Sequence, residues 1–262
     1  MIKRIIKQIL GFSIPNQSLS IYKTLLFNFT AFGFKGLFIL PIYVYQNTRI
    51  YRVGCIKMRC PMKRGLLKIG ELDYKSQGKT KFLNVGTIEI FGPVEIGGAS
   101  IIENYGKIIF HGDNRLGDGC NIFIRESLSL GIETRIGFHS FIMDSDDHFT
   151  IYVETKQIGR NTKGIELGKY NWMGNTTFIK KGAKTPDYFI VASPNALLTK
   201  DYTSMPPYSV VGGSPVKLLK SGIRRIYNGE IEAKLNKHFK ATLDNTVIWD
   251  VETKDLDMFC KQ

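Results

Sequence analysis

The chain has four histidines, at positions 111, 139, 148 and 238, and histidine is the side chain best suited to move protons near neutral pH. His148 lies in the segment "MDSDDHF", at the start of a polar stretch that runs from Ser145 to Gly164. Loops that leave a rigid scaffold commonly carry functional side chains. We therefore predict that His148 acts as a general base, which takes a proton from a reacting group.

Two carboxylates directly precede this histidine. Asp146 and Asp147 could fix one tautomer of the imidazole and stabilise its protonated form, as a carboxylate does in a catalytic triad. On this interpretation Asp146 belongs to the catalytic set. The alternative is a loop histidine in an acidic, solvated turn, which the residue types by themselves do not exclude.

The scaffold that positions this loop is indicated by the stretch "IELGKYNWMGNTTFIKKG". Aliphatic residues recur there and beyond at multiples of six, at Leu167, Met173, Ile179, Val191 and Leu197, with a lapse at Thr185. A spacing of six fits neither a helix nor a strand as a single element. Similar pieces, such as "VEIGGAS" and "TRIGFHSFI", begin near residue 85. They predict stacked coils of about eighteen residues, with each aliphatic side chain pointing inward. His139 falls inside a coil and is predicted to be structural.

The closing segment "NALLTKDYTSMPPYSVVGGSPVKLLK" resembles that of the hexapeptide-repeat acyltransferases, an all-β solenoid family built on a left-handed parallel β-helix. "KYNWMGNTTFIKKG" is similar to the family's tryptophan-bearing coil. "DSDDHFTIY" resembles its histidine-bearing loop, in the variety found in sugar and capsular polysaccharide O-acetyltransferases. The resemblance runs from about Val94 to Lys220. Thr185, Ser214 and Met173 depart from the family's pattern.

The resemblance implies that acetyl-CoA donates an acetyl group to a sugar hydroxyl of a polysaccharide, a glycan or a lipid-linked precursor. It also implies a homotrimer that holds coenzyme A between coils of neighbouring subunits, without a metal. The coenzyme A site would include Trp172, Gly174, Asn175, Thr199, Lys200, Lys217 and Lys220. In this site the indole would supply flat apolar surface, and the last two lysines would supply cations for the 3′-phosphate.

Asn121 and Asp147 are expected near the acyl or acceptor group, again by resemblance. An equal interpretation of Asn121 is a ladder asparagine that satisfies backbone groups at a corner of the solenoid.

Two further functions are compatible with such a solenoid. One is a noncatalytic binding protein attached to a membrane. The other is a metal-dependent hydratase, as in the β-helical carbonic anhydrases, which would need three imidazoles on facing walls. The spacing of His111, His139 and His148 departs from that family's pattern.

Positive charge is concentrated in residues 1–70, which hold twelve Lys or Arg and no Asp or Glu. The opening "MIKRIIKQIL" predicts a basic amphipathic helix. The apolar stretch after it is interrupted by Lys23 and Lys35 and ends at Pro41, so we expect it to lie on an anionic membrane surface instead of crossing the bilayer. The alternative is a pair of core-packing helices with a solvated basic face. No nucleic-acid motif is present in the sequence.

These patterns divide the chain into a basic N-terminal region (1–70), a β-helix (71–220) and a C-terminal helix and tail (221–262). In the last part, Ile223, Ile226, Ile231 and Leu235 have mostly helical spacing, which predicts a helix covering the open end of the solenoid. Four cysteines without a metal-like pair or a disulfide framework favour a reducing compartment. With no signal peptide expected, we predict a cytoplasmic protein, peripheral on the inner face of the membrane.

Overall fold

The computed structural model describes residues 19–71, 78–192, 194–249 and 256–260. These residues form three sheets and three helices, α1 (Ile21–Ile39), α2 (Gly229–Ala241) and α3 (Leu256–Cys260). The basic helix predicted for residues 1–10 lies outside the described residues.

Within these ranges each sheet takes every third strand along the chain until the last four strands, of which three join the first sheet and one joins the second. Sheet 1 contains, in spatial order, β1 (Ile42–Val44), β4 (Leu67–Glu71), β7 (Val94–Gly97), β10 (Asn114–Leu116), β13 (Arg135–Ile136), β16 (Trp172–Met173), β18 (Ile190–Val191), β20 (Val210–Gly212) and β21 (Lys217–Lys220). Sheet 2 contains β2 (Thr48–Arg52), β5 (Thr80–Asn84), β8 (Ile101–Asn104), β11 (Asn121–Ile124), β14 (Phe141–Met143), β17 (Phe178–Lys180) and β19 (Leu197–Leu198). Sheet 3 contains β3 (Cys55–Met58), β6 (Thr87–Ile90), β9 (Lys107–Phe110), β12 (Ser127–Leu130) and β15 (Ile165–Leu167).

Strand pairing shows that the sheets are the three walls of a coil. β10, for example, pairs in parallel with β7 and β13, the strands of the preceding and following coils. The antiparallel pair β20–β21 ends sheet 1. The predicted fold class, an all-β solenoid of parallel coils with helical segments outside it, is confirmed.

The core is a set of aliphatic ladders that run down the inside of each wall. On sheet 1 the Cα registers align Ile96, Leu116, Ile136, Met173 and Val191 in neighbouring strands. All five side chains are buried. Because each coil alone would leave these side chains in water, stacking of the coils supplies the hydrophobic stabilisation.

Two positions depart from the regular ladder. Thr185, at the lapse in the repeat, is buried, and its hydroxyl accepts a hydrogen bond from the Gly168 N–H at 3.1 Å. The prediction that Leu197 points inward is wrong, because Leu198 is the buried residue and pairs with Ile179. The corner before β19 (192–196) has five residues, whereas the corner before β17 (174–177) has four, so the inward position shifts by one.

Polar side chains satisfy the backbone at the corners. The Asn104 amide donates to Asn84 Oδ1 at 2.7 Å, and the Asn84 amide donates to the Val53 carbonyl at 2.7 Å. Gly119 has φ +72°, and a Cβ there would lie 2.3 Å from His139 Nδ1. Glycine is therefore required at that corner both by the backbone angle and by the close approach.

Helix α1 packs on the first coil through one face. The Asn28 amide donates to the Ile42 carbonyl at 2.7 Å, and Asn28 Oδ1 accepts the Ile42 N–H at 3.1 Å. Phe27 is buried, and its ring contacts that of Phe82 at 5.4 Å. These contacts make the helix a cover for the N-terminal end of the aliphatic core.

The solenoid starts at Ile42, well before the boundary at residue 71 expected from composition. The strands β1, β2 and β3 form a complete coil within the basic region, and β4 begins the next. Among the described helices, none is both long enough and apolar enough to cross a membrane.

The chain divides into two compact units, Met1–Ser221 and Gly222–Gln262. In the second unit the predicted helix is present as α2, but it begins at Gly229, so Ile223 and Ile226 lie outside it. Asn228 sets this start, because its Oδ1 accepts the N–H groups of Glu230 and Ile231 at 3.1 and 3.2 Å.

Candidate functional site

The polar stretch after β14 leaves the solenoid as a hairpin with a closed neck. The Lys163 N–H donates to the Asp144 carbonyl at 2.9 Å, and the Asp146 N–H donates to the Asn161 carbonyl at 2.9 Å. Ser145 and Thr162 form an antiparallel bridge between these bonds. The predicted excursion therefore emerges from one fixed point between sheets 2 and 3.

Asp144 clamps this neck to the preceding coil. Its buried carboxylate accepts the backbone N–H groups of Arg125, Glu126 and Ser127 at 2.7, 2.8 and 2.7 Å. Burial raises the pKa of the Asp144 carboxyl above its usual value, and the three N–H donors partly offset this effect. Sequence reasoning missed this residue, because no motif separates its carboxylate from those of its two acidic neighbours.

His148 lies just beyond the neck on a tight turn. Asp147 has φ +59°, its N–H donates to Ser145 Oγ at 2.8 Å, and the His148 N–H donates to the Asp146 carbonyl at 2.6 Å. The imidazole is exposed, and no residue in the described ranges makes a hydrogen bond to its ring. A ring in this position can meet a hydroxyl that arrives from outside the chain.

The two carboxylates beside His148 bind cations and not the imidazole. Asp146 pairs with the Lys181 ammonium group, and Asp147 lies 3.5 Å from Arg125 Nε. The predicted contact that would orient the ring is thus absent from this structure, because both carboxylates turn toward positive charges on neighbouring coils. Lys181 and Arg125 are further residues of the site that the sequence did not single out.

An open cavity of ≈ 490 Å³ lies beside the hairpin. Its lining includes Arg125 and Glu126 of the preceding coil together with Phe149, Ile158 and Arg160 of the hairpin. The cavity therefore offers apolar surface and charges of both signs, and its lining includes Phe149, the residue that follows His148 in the sequence.

The outer face of sheet 2 is aromatic near the hairpin. In Cα register, Asn121 pairs with Phe141, which pairs with Phe178. The rings of Phe141 and Phe178 are 6.1 Å apart, and the Phe141 ring is 5.4 Å from that of Phe123. Asn121 is the first residue of a strand and points outward, so it is not one of the corner asparagines.

The residues predicted to bind coenzyme A lie on two walls of the chain. Trp172 is outward and 39% exposed on sheet 1, as its size requires, while Met173 beside it is buried. Lys217 and Lys220 are exposed on β21 of the same sheet. The structure therefore places the indole and both lysines on one wall.

The other predicted cofactor residues lie at corners or on a second wall. Asn175 Oδ1 accepts the Phe138 N–H at 3.0 Å, and the Gly174 carbonyl accepts the Thr177 hydroxyl at 2.7 Å. Thr199 and Lys200 are exposed after β19 of sheet 2. Within one chain these groups do not converge with the indole on a single surface.

The remaining histidines are spread over the molecule. His139 is at a corner with φ 57°, and His238 is in α2. His111 stacks on Phe91 and lies 3.1 Å from Ser129 Oγ. Burial, with a contribution from Lys169, holds the pKa of His111 below its usual value. In the part of the chain that the structure describes, no three His, Cys, Asp or Glu side chains form a group able to hold a metal ion.

The parallel coils define the class of this protein as a parallel β-helix, and the hairpin that carries His148 projects from it.

No protein-family model matches the chain, and no curated protein matches it. Solved structures with a similar fold include the polySia-specific acetyltransferase NeuO, at 16% identity and a TM-score of 0.44, covering 79% of this chain and 95% of NeuO. The polysialic acid O-acetyltransferase OatWY is 18% identical with a TM-score of 0.41, and the match covers 73% of this chain and 96% of OatWY. The hexapeptide-repeat acetyltransferase VCA0836 of Vibrio cholerae is 18% identical with a TM-score of 0.31, and the match covers 55% of this chain and 68% of VCA0836. The fold assignment itself rests on the strand pairing of this chain.

Proposed function

We propose that this protein is an acetyl-CoA-dependent O-acetyltransferase whose acceptor is a sugar hydroxyl of a polysaccharide, a glycan or a lipid-linked precursor. The observation that carries the proposal is the position of His148, an exposed imidazole on a turn whose neck is clamped to the solenoid. The resemblance of the closing segment to hexapeptide-repeat acyltransferases supplies the reaction class.

In the proposed reaction His148 takes the proton of the acceptor hydroxyl while the oxygen attacks the thioester carbonyl carbon. A tetrahedral intermediate forms. When it collapses, the carbon–sulfur bond breaks and the imidazolium returns its proton to the departing thiolate. The products are an acetyl ester of the acceptor and free coenzyme A.

Asp146 has a positioning role in this proposal. Its pairing with Lys181 ties the turn that carries His148 to the coil of β17. Asp147 and Asn121 remain the candidates for contact with the acceptor. Asp147 pairs with Arg125, which lines the cavity beside the hairpin.

The proposed coenzyme A site comprises Trp172, Gly174, Asn175, Thr199, Lys200, Lys217 and Lys220. The exposed indole offers a flat surface for the adenine or pantetheine part, and the lysines of β21 offer cations for phosphate. Because these groups occupy two walls of one chain, a homotrimer that brings different walls together is part of the proposal. The aromatic outer face of sheet 2 supports it, since exposed aromatic surface favours a protein contact. We place the enzyme in the cytoplasm, peripheral on the inner membrane face.

The test is thiol release from acetyl-CoA by purified protein, screened against nucleotide sugars, free sugars and lipid-linked glycans. With a productive acceptor, His148→Ala should lower acetyl transfer by about a hundred-fold or more while coenzyme A binding stays near normal. His139→Asn is the matched control, because asparagine tolerates the positive φ of that corner, and it should retain activity.

Two results would contradict the proposal. One is full activity of His148→Ala together with loss of activity in His111→Ala, which would identify His111, on a different wall of the solenoid, as the general base. The other is the absence of thiol release with every acceptor, which would favour a binding protein.

A further inference from the structure

The outer face of α1 carries six large apolar side chains that are exposed. Its exposed large side chains are Tyr22, Leu25, Leu26, Phe29, Phe34 and Phe38. Leu25 and Leu26 follow Tyr22 by three and four residues and precede Phe29 by four and three, so these four side chains share one helical face. Gly33 interrupts the helix with φ 60° and ψ −147°, yet the rings of Phe29 and Phe34 meet across it at 5.6 Å. Both halves of the helix therefore belong to the same surface.

This surface is outward because the opposite face is already packed. Thr24, Phe27 and Asn28 are buried against the first coil, so the helix cannot turn its aromatic face inward without losing those contacts. Tyr22, Phe34 and Phe38 are 73%, 72% and 79% exposed. An exposed apolar face of this extent marks an interaction site.

A basic pocket adjoins this face. An open cavity of ≈ 420 Å³ between α1 and the first coil is lined by Leu26 and by the cations Lys23, Arg49 and Lys79. Its lining, as far as the structure describes it, contains no Asp or Glu. The Lys23 ammonium group donates to the carbonyls of Gln46 and Thr48 at 2.6 and 2.8 Å, which fixes the position of its charge.

Further positive charge lies beside the pocket. Arg49 pairs in Cα register with Lys81 on the next strand of sheet 2, and its guanidinium lies over the Tyr51 ring at 5.0 Å. Lys23, Arg49 and Lys79 form no ion pair with any residue in the described ranges. A protein partner would have to supply several matching carboxylates, whereas an anionic bilayer supplies apolar depth and phosphate charge together.

We propose that the outer face of α1 docks on an anionic phospholipid bilayer and that the adjoining pocket takes a phosphate-bearing headgroup. The aromatic and leucine side chains enter the boundary between headgroups and acyl chains, and the cations lie at the headgroup level. Positions 19–70 of the described chain contain no Asp or Glu, so the part of the molecule that carries α1 has the required charge. This docking is independent of the reaction proposed for His148.

The experiment is sedimentation of the full chain with vesicles of phosphatidylcholine alone or mixed with phosphatidylglycerol, at low and high salt. We expect salt-sensitive binding to the phosphatidylglycerol vesicles only. Phe34→Asp with Phe38→Asp, and separately Arg49→Glu with Lys79→Glu, should each weaken that binding by at least about tenfold. Millimolar inorganic phosphate should not release the protein, since a free anion lacks the apolar contact.

Lys234→Glu with Lys237→Glu is the matched control, because it changes the net charge of the chain equally at two exposed positions of α2. It should bind within about twofold of the unchanged protein. Far-UV circular dichroism and thermal unfolding verify that each variant is folded.

Three outcomes would overturn the proposal. The first is that the full chain does not sediment with anionic vesicles. The second is that the α2 control loses as much binding as the variants of α1 and the pocket. The third is a change of molecular mass in Phe34→Asp with Phe38→Asp without a change in vesicle binding, which would assign the face to a second copy of the chain.

Discussion

The Asp144 carboxylate accepts the backbone N–H of Ser127 at 2.7 Å and thereby joins the strand that ends at the hairpin to the coil before it. Arg125 and Glu126 donate to the same carboxylate. The turn that carries His148 therefore departs from a fully hydrogen-bonded neck, which limits the directions the hairpin can take.

Asp144→Ala tests this clamp. Each unsatisfied buried N–H group costs about 1–3 kcal/mol, so the free energy of unfolding should fall by roughly 3 kcal/mol or more, measured by urea unfolding. Asp187→Ala is the control, because that exposed carboxylate accepts one bond, from the Lys169 N–H at 2.7 Å. Equal losses in the two variants would show that the neck does not depend on Asp144.

A double-mutant cycle separates a positioning role of Asp146 from a direct one. If the pair with Lys181 holds the turn, Asp146→Ala and Lys181→Ala should each lower acetyl transfer by about tenfold, and the double variant should lose little more. An Asp146→Ala enzyme as inactive as His148→Ala, beside a fully active Lys181→Ala, would instead indicate contact between carboxylate and imidazole.

The cations of β21 are assigned to the 3′-phosphate of coenzyme A. Lys217→Ala with Lys220→Ala should therefore weaken coenzyme A by about tenfold or more and dephospho-coenzyme A much less, measured by calorimetric titration. A similar loss of affinity for both ligands would place the 3′-phosphate elsewhere.

Phe178 tests whether the outer face of sheet 2 is a subunit contact. Phe178→Asp places a carboxylate beside the Phe141 ring, and burying that charge in an interface would cost several kcal/mol. Sedimentation equilibrium should show a trimer for the unchanged protein and smaller species for the variant. A variant of Phe178 that stays trimeric would remove this face from the interface.

Glu89 gives the solenoid a predictable acid response. A hydrogen bond from Arg59 at 2.9 Å, supported by Lys107 at 3.3 Å, holds the pKa of the Glu89 carboxyl below its usual value of 4.5. The charged form is favoured in the folded state, so its stabilisation is complete above pH 4.5 and is lost as the pH falls through the lower folded value.

Glu89→Gln should therefore lower the free energy of unfolding at about pH 6 and make little difference at about pH 3. Urea unfolding at both pH values measures the two differences. A deficit that is the same at both would mean that the carboxylate charge contributes nothing.

The solenoid was predictable because its core is a one-dimensional repeat. Met173, Ile179 and Val191 are inward, as their spacing predicts, since every coil buries the same position. The outward position of Leu197 was not predictable. One additional residue in the corner before β19 shifts the inward position to Leu198, and the local sequence does not show how many residues a corner contains. The start of the solenoid at Ile42 was missed because the first coil lies in the basic region, where the amino-acid composition does not yet resemble that of the later coils.

The sequence alone determined that His148 would lie on an excursion from a regular scaffold, and that basic residues would gather at the N-terminal end. Only the tertiary structure decided the partners of the neighbouring carboxylates, since Lys181 and Arg125 approach Asp146 and Asp147 from different coils. The tertiary structure also revealed that one face of α1 packs on the first coil while its aromatic face is exposed. The physical reason is that a repeat fixes which side chains point inward, whereas charge pairing and surface exposure depend on which residues the stacking of coils brings together.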